Sequence, residues 1–192
     1  MRPAIDLTRA LAIKGFMHPT ELQWLAERAS EARVAIEVGS FTGRSTRALA
    51  DHCPGVVYAV DRWDATADTE PGDRAAAALR RSGGDAVYAA FTQALADLIA
   101  AGRVLPLRLS ARVASQWLVI AGLRADLVFL DGDHRDEACA ADIHHFRPVL
   151  RTGGILAGHD YGHPQHPGVT RAVDAAFGAD VATCRSIWWV RV

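Results

Sequence analysis

Three stretches of this 192-residue chain bring together residue types that do chemistry. The first is Glu37-Val38-Gly39-Ser40-Phe41-Thr42-Gly43-Arg44-Ser45, a carboxylate followed by a turn with two glycines and several hydroxyls. The second is Val56-Val57-Tyr58-Ala59-Val60-Asp61, an apolar run that ends in an acid. The third is a pair, Leu130-Asp131-Gly132-Asp133-His134 and Gly158-His159-Asp160-Tyr161, in which carboxylates and imidazoles follow apolar runs. Gly39 and Gly43 allow a sharp turn and a close approach of backbone to a ligand. Asp61, at the end of a second strand, is placed to accept both hydroxyls of a ribose.

A phosphate-binding turn of this type offers a bare helix N-terminus to pyrophosphate. Here Glu37 stands where pyrophosphate would be repelled. That favours a cationic or zwitterionic nucleoside such as S-adenosylmethionine (SAM), with its ammonium and sulfonium, over a dinucleotide. A buried structural acid is the competing reading of Glu37.

Asp131 closes a fourth apolar strand and Asp160 a fifth. If those strands are neighbours, about 4.8 Å apart, both carboxylates reach one cation, and oxygen ligands suit Mg²⁺ or Ca²⁺. A cation there would stabilise an alkoxide or phenolate. His134, three residues past Asp131, titrates near neutral pH and can take the substrate proton. Alternatives stay open. Asp133 can replace Asp131 as ligand, Asp131 can cap the next turn, and His134 can be a loop histidine. His163 and His166 line the substrate mouth or belong to a solvated loop.

The elements that must position these residues alternate. Strands are expected at about 33–38, 56–61, 104–109, 125–131 and 155–160, with short strands at 181–184 and 187–192. Helices are expected within 1–32 and at about 43–52, 85–101, 111–122, 136–150 and 169–177. Pro106 points to an edge strand, and the continuous apolar run Leu127–Leu130 to a strand buried on both faces. The expected fold is a three-layer α/β sandwich with a mostly parallel seven-stranded sheet and a C-terminal antiparallel hairpin. It forms one domain over 1–192, with residues 1–32 as a helical cap and 62–84 as a lid or a solvated connector. Trp188 and Trp189 pack the hairpin, or one faces the partner of a homodimer.

Composition narrows the function classes. Half the residues are hydrophobic, 22% are charged, and net charge is −1, which points away from nucleic acid and membrane surfaces. Cys53, Cys139 and Cys184 are scattered and odd in number, which suits a reducing cytoplasm and no thiolate metal site. No signal peptide or membrane segment is read in the chain.

The stretch Glu37–Ser45 together with Asp61 resembles the first two motifs of class I SAM-dependent methyltransferases, over roughly residues 33–178. The resemblance implies SAM contacts from Glu37, Gly39, Ser40, Gly43, Ser45, Asp61, Trp63 and Asp131, with Ser110 and Ala111 beside the adenine. Residues 130–134 and 158–161 further resemble a bacterial family that includes macrolide-sugar O-methyltransferases, and the metal site of catechol O-methyltransferase. That implies a divalent cation on Asp131, His159 and Asp160. His159 stands where the catechol enzyme has a carboxylate, and Asp160 where it has an asparagine. Mg²⁺ is then joined by Mn²⁺, Fe²⁺ or Zn²⁺ as a candidate, because imidazole suits those ions better. His134 stands at the position of the catechol enzyme's lysine base. The implied activity is O-methylation of a small hydroxylated molecule, with His134 and Asp131 catalytic. The competing readings are a metal-dependent hydrolase or lyase built on the Asp/His cluster, and a SAM-binding module without catalysis. The cover over such a site must come from residues 1–20, 62–84 and 161–168, or from another subunit.

Overall fold

A computed structural model of the chain describes residues 4–64, 74–178 and 181–192. The elements run α1 (Thr8–Ala12), α2 (Pro19–Ala29), β1 (Val34–Val38), α3 (Arg44–His52), β2 (Val56–Asp61), α4 (Arg74–Ser82), α5 (Gly84–Ala94), α6 (Ala96–Ala100) and β3 (Val104–Arg108). They continue with α7 (Ala111–Ile120), β4 (Ala125–Leu130), α8 (Asp136–Phe146), β5 (Leu150–Gly158), α9 (Pro167–Phe177), β6 (Ala182–Cys184) and β7 (Ile187–Arg191).

The seven strands form one sheet in the order β3-β2-β1-β4-β5-β7-β6. The first five are parallel, β7 runs antiparallel to β5, and β6 closes the hairpin. Pro106, with no N–H to donate, sits on the edge strand β3, as its chemistry requires. Alternate residues face opposite layers. Ala35, Leu127, Phe129 and Ala157 pack with Leu22, Leu25, Leu49 and Phe91 on one side. Ile36, Val38, Val128 and Leu156 pack with Leu118, Ile143, Phe146 and Val173 on the other.

Two expected helices change. The helix expected over 85–101 is two, because Leu95 leaves helical geometry (φ −115°, ψ 13°) while its side chain stays fully buried. The helix expected to run to 150 stops at Phe146 and tightens into a 3₁₀ turn over Arg147–Val149, since Pro148 cannot continue the α-helical ladder. Within 62–84, expected as a loop or loosely helical excursion, Arg74–Ser82 forms the helix α4, whose run Ala75–Ala78 is made of the strongest helix former. Residues 65–73 of that segment lie outside the described residues.

β1 and β4 are neighbours, yet the chain leaves them toward opposite edges of the sheet. Ligands of such sheets bind at this reversal, beyond the carboxyl ends of the strands. Gly39 makes the crossing tight. It has φ +92°, and a Cβ there would lie 1.9 Å from the Asp131 carbonyl oxygen. At Gly43 (φ +93°) a Cβ would meet only side chains, Leu95 Cδ1 at 2.9 Å and Phe91 Cδ2 at 3.1 Å. Gly39→Ala is expected to destabilise the fold by about 1–3 kcal/mol, and by more than Gly43→Ala, because backbone cannot give way as a side chain can. Urea denaturation of both variants checks the order.

Candidate functional site

The site residues are held by amides that continue the sheet past its strands. Gly39 N donates to Val60 O at 2.8 Å, Asp131 N to Val38 O at 2.8 Å, and His159 N to Leu130 O at 3.0 Å. Each residue is therefore pinned to the last residues of the neighbouring strand. Asp160, one step further, takes φ 61°. That left-handed conformation costs a non-glycine residue about 1 kcal/mol, and Asp tolerates it better than most residues.

A cavity of about 380 Å³ opens at the reversal, within the range of small-ligand sites. Gly39, Ser40 and Ser45 form one wall, and Asp131, His134, His159 and Asp160 another. Met17, His18 and Glu21 reach it from the N-terminal cap, His163 and His166 from the loop after Asp160, and Ala75 from α4. Residues of the segments 1–20, 62–84 and 161–168 thus all border it.

The other sequence-derived residues sit off the wall. Glu37 is fully buried beneath the turn, where one carboxylate oxygen accepts from Thr46 Oγ1. Burial raises its pKa to about 7 against the lowering effect of the nearby Ser45, Thr46 and Ser40 hydroxyls. Its remaining oxygen, Oε1, is buried without a hydrogen-bond partner. Gly43 starts α3. Asp61 accepts from the amides of Phe41 (2.9 Å) and Trp63 (2.7 Å), and burial raises its pKa. Trp63 has no exposed surface. Its Nε1 donates to Phe41 O at 2.6 Å, and its ring packs on Tyr88 and Phe91. It braces the turn from the core. Ser110 caps α7 and opens on a separate groove beside Arg62, Asp85 and Arg108, while Ala111 is the first residue of α7 and packs on the core.

The Asp/His cluster is compact. Asp131, His159 and Asp160 each offer a ligand atom within 4.8 Å of the others. His159 Nδ1 lies 3.3 Å from Asp160 Oδ1 and 3.6 Å from Asp131 Oδ1. His134 Nε2 lies 3.1 Å from Asp160 Oδ2 and 3.9 Å from Asp131 Oδ1. Asp133 faces elsewhere, accepting from Arg135.

Sequence reasoning missed Glu21. It is 3% exposed and stands 3.2 Å from His159 Nε2. It also accepts from the His18 amide and from Ser186 N and Oγ, so it caps α2 and fastens the β6–β7 turn at once. The capping pattern at Pro19-Thr20-Glu21 marks a helix start, but nothing local marks a partner at the far end of the chain. Burial pushes the Glu21 pKa up, and hydrogen bonds from His159 and Ser186 outweigh it and hold the carboxyl at about 2. Burial pulls His159 down, and Asp131, Asp160 and Glu21 outweigh it and raise the imidazole to about 12. Asp131 and Asp160 are both lowered, against their burial, by His159 and His134.

The strand order and the glycine turn at the β1/β4 reversal are those of a Rossmann-like α/β fold. A family model described as a methyltransferase domain matches residues 36–161, and the chain belongs to that family of SAM-dependent enzymes. A search of curated protein sequences finds no match. Solved structures with a similar fold include the calicheamicin methyltransferase CalS11 (TM-score 0.66, 17% identity, covering 89% of this chain and 77% of that one). An O-methyltransferase from Bacillus cereus in complex with SAH is also similar (0.62, 17%, 100% and 84%). So is a proposed rRNA methylase from Clostridium thermocellum (0.60, 16%, 92% and 100%). At these identities the likeness is one of fold. The hydrolase or lyase reading of the cluster finds no support in these comparisons. Among the described residues no helix is long and apolar enough to cross a membrane.

Glu37 gives a test of the turn's electrostatics. Its native pKa of about 7 lies above the ordinary 4.5, so the folded protein binds the proton more tightly than the unfolded chain. The stability this contributes is present below about 4.5 and is lost as pH rises through about 7. Glu37→Gln should therefore gain stability relative to wild type between pH 4.5 and 8. Urea denaturation across that range measures it, and a pH-independent difference would contradict the assignment.

Proposed function

We propose that the protein transfers the methyl group of SAM to a hydroxyl oxygen of a small molecule, with a divalent cation on Asp131, His159 and Asp160. The observation that carries this reading is that the carboxylate–imidazole cluster shares one cavity with the glycine turn. SAM and acceptor would meet there.

The donor set suits a cation. His159 presents Nδ1 to both carboxylates while its Nε2 faces Glu21 at 3.2 Å and Ser186 Oγ at 3.1 Å. A metal-binding histidine commonly gives its second ring nitrogen to a carboxylate in this way. Two carboxylates and one imidazole accept Mg²⁺ and suit Mn²⁺ or Zn²⁺ as well. When bound, such a cation supplies stabilisation to the acceptor's developing oxyanion.

The remaining roles belong to the chain. The turn from Gly39 through Ser45 receives the methionine end of SAM, and Asp61 the ribose. The sulfonium already makes the methyl electrophilic, so the protein's task is to place and deprotonate an oxygen. His134 takes that proton at Nε2, where Asp160 at 3.1 Å and Asp131 at 3.9 Å stabilise the imidazolium. A cavity of about 380 Å³ and a net charge of −1 suit a small acceptor rather than a nucleic acid. Three free cysteines suit a cytoplasmic setting.

SAM should raise the melting temperature and NAD should not. Asp61→Ala should weaken SAM binding by about 1.5–3 kcal/mol in calorimetry, the loss of hydrogen bonds to a charged group. Unchanged affinity would remove Asp61 from the ribose site. Asp160→Ala should abolish metal-stimulated turnover and leave SAM binding nearly intact. His134→Ala should lower turnover about 10²–10⁴-fold, with partial recovery at higher pH as the acceptor ionises in solution. Turnover against metal concentration and pH reads both. Full activity in chelator would remove the cation, and SAM binding with no turnover on any hydroxylated acceptor would leave a binding module.

A further inference from the structure

Asp160 faces two ways. Its Oδ1 looks toward His159 at 3.3 Å and its Oδ2 toward His134 at 3.1 Å. On the Oδ2 side stands a second group of donors. His134, Asp160 and His166 each offer a ligand atom within 4.8 Å of the others. The rings of His134 and His166 lie with centroids 4.1 Å apart, tilted by 33°. Ligands at about 2.0–2.2 Å from one four-coordinate ion stand roughly 3.3 Å from each other. The His134–Asp160 separation matches that spacing.

Backbone features converge on this arrangement. His163 N donates to Asp160 O at 3.1 Å and His166 N to His163 O at 3.0 Å, so the loop turns back toward Asp160 in two steps. Gly168, in the first turn of α9, is bare where any side chain would collide. A Cβ there would lie 2.6 Å from His134 O and 2.7 Å from Asp136 N. Its absence lets the loop that carries His166 lie against the loop that carries His134. The carboxylate and His134 are enclosed, each with a side chain 12% exposed.

We propose that His134, Asp160 and His166 hold a second divalent cation beside the first, with the Asp160 carboxylate bridging the two. Two imidazoles and one carboxylate favour Zn²⁺ or a similar imidazole-preferring ion over Mg²⁺. Paired cations that share a ligand typically stand about 3.5–4 Å apart. Occupancy would also take His134 Nε2 out of proton transfer, so zinc would silence the enzyme while Mg²⁺ supports it. This last consequence rests on the function proposed above, whereas the binding site does not.

The test is a count. Metal-stripped full-length protein is titrated with ZnCl₂ in a calorimeter and with CoCl₂ under visible absorption. Wild type should take up two equivalents. His166→Ala and Asp131→Asn should each take up one, and His166→Ala should lose the cobalt band of the imidazole-rich site. His166→Gln, which keeps a polar side chain of similar size, repeats the count if His166→Ala alters the melting curve. One equivalent or fewer in wild type, or two in the His166 variants, would overturn the proposal. Zinc held adventitiously on surface histidines would survive His166→Ala and so falls in the second case. The readout is binding, so failure of SAM to stabilise the protein would sink the proposed function and leave the zinc count standing.

Discussion

The structure depends on one electrostatic constraint. Glu21, Asp131 and Asp160 converge in a space largely closed to water, and burial raises the cost of ionising each of them. His159 stands among all three, and its imidazolium reconciles them. Removing one member of such a buried set generally costs about 3–5 kcal/mol, because a charge is left uncompensated. The same contacts tie α2, the end of β5 and the β6–β7 turn to one point. A cluster of this kind has a standing preference for positive charge. A metal ion or a cationic ligand group entering it replaces part of what His159 supplies.

The sheet provides the rigidity on which that cluster rests. Gly39, Asp131 and His159 each hang from an adjacent strand by a single amide, so the positions of these three cavity-lining residues follow from strand spacing. The contact between Gly39 and the Asp131 carbonyl locks the two loops on either side of the reversal together. Glu37 and Trp63 work behind this surface. The carboxylate of Glu37 fastens the start of α3 through Thr46, and the indole of Trp63 holds the Phe41 carbonyl. Both shape the turn without standing on the cavity wall.

What could be read from the chain follows the range of the interactions. Asp131 and Asp160 could be placed together from the chain because each follows an apolar run and β4 and β5 are neighbours, whereas His159 entered only through the family resemblance. The glycine turn was legible because the acid–turn–helix pattern is local. Trp63 sits two residues past Asp61, and spacing does not reveal which way a side chain turns. The structure turns it inward, onto Tyr88 and Phe91. Glu21 was legible only as a helix cap, since its link to Ser186 spans 165 positions. Asp133 remained an alternative to Asp131 until Arg135 was seen to engage it.

The link between Glu21 and Ser186 also orders events during biosynthesis. A ribosome delivers α2 early and the β6–β7 turn late, so Glu21 emerges long before the hydroxyl and amide that complete its shell. His159 emerges in between, from the end of the last parallel strand. The pairing of β7 against β5 brings in the turn that carries Ser186, so the shell of Glu21 is complete only where the two ends of the chain meet.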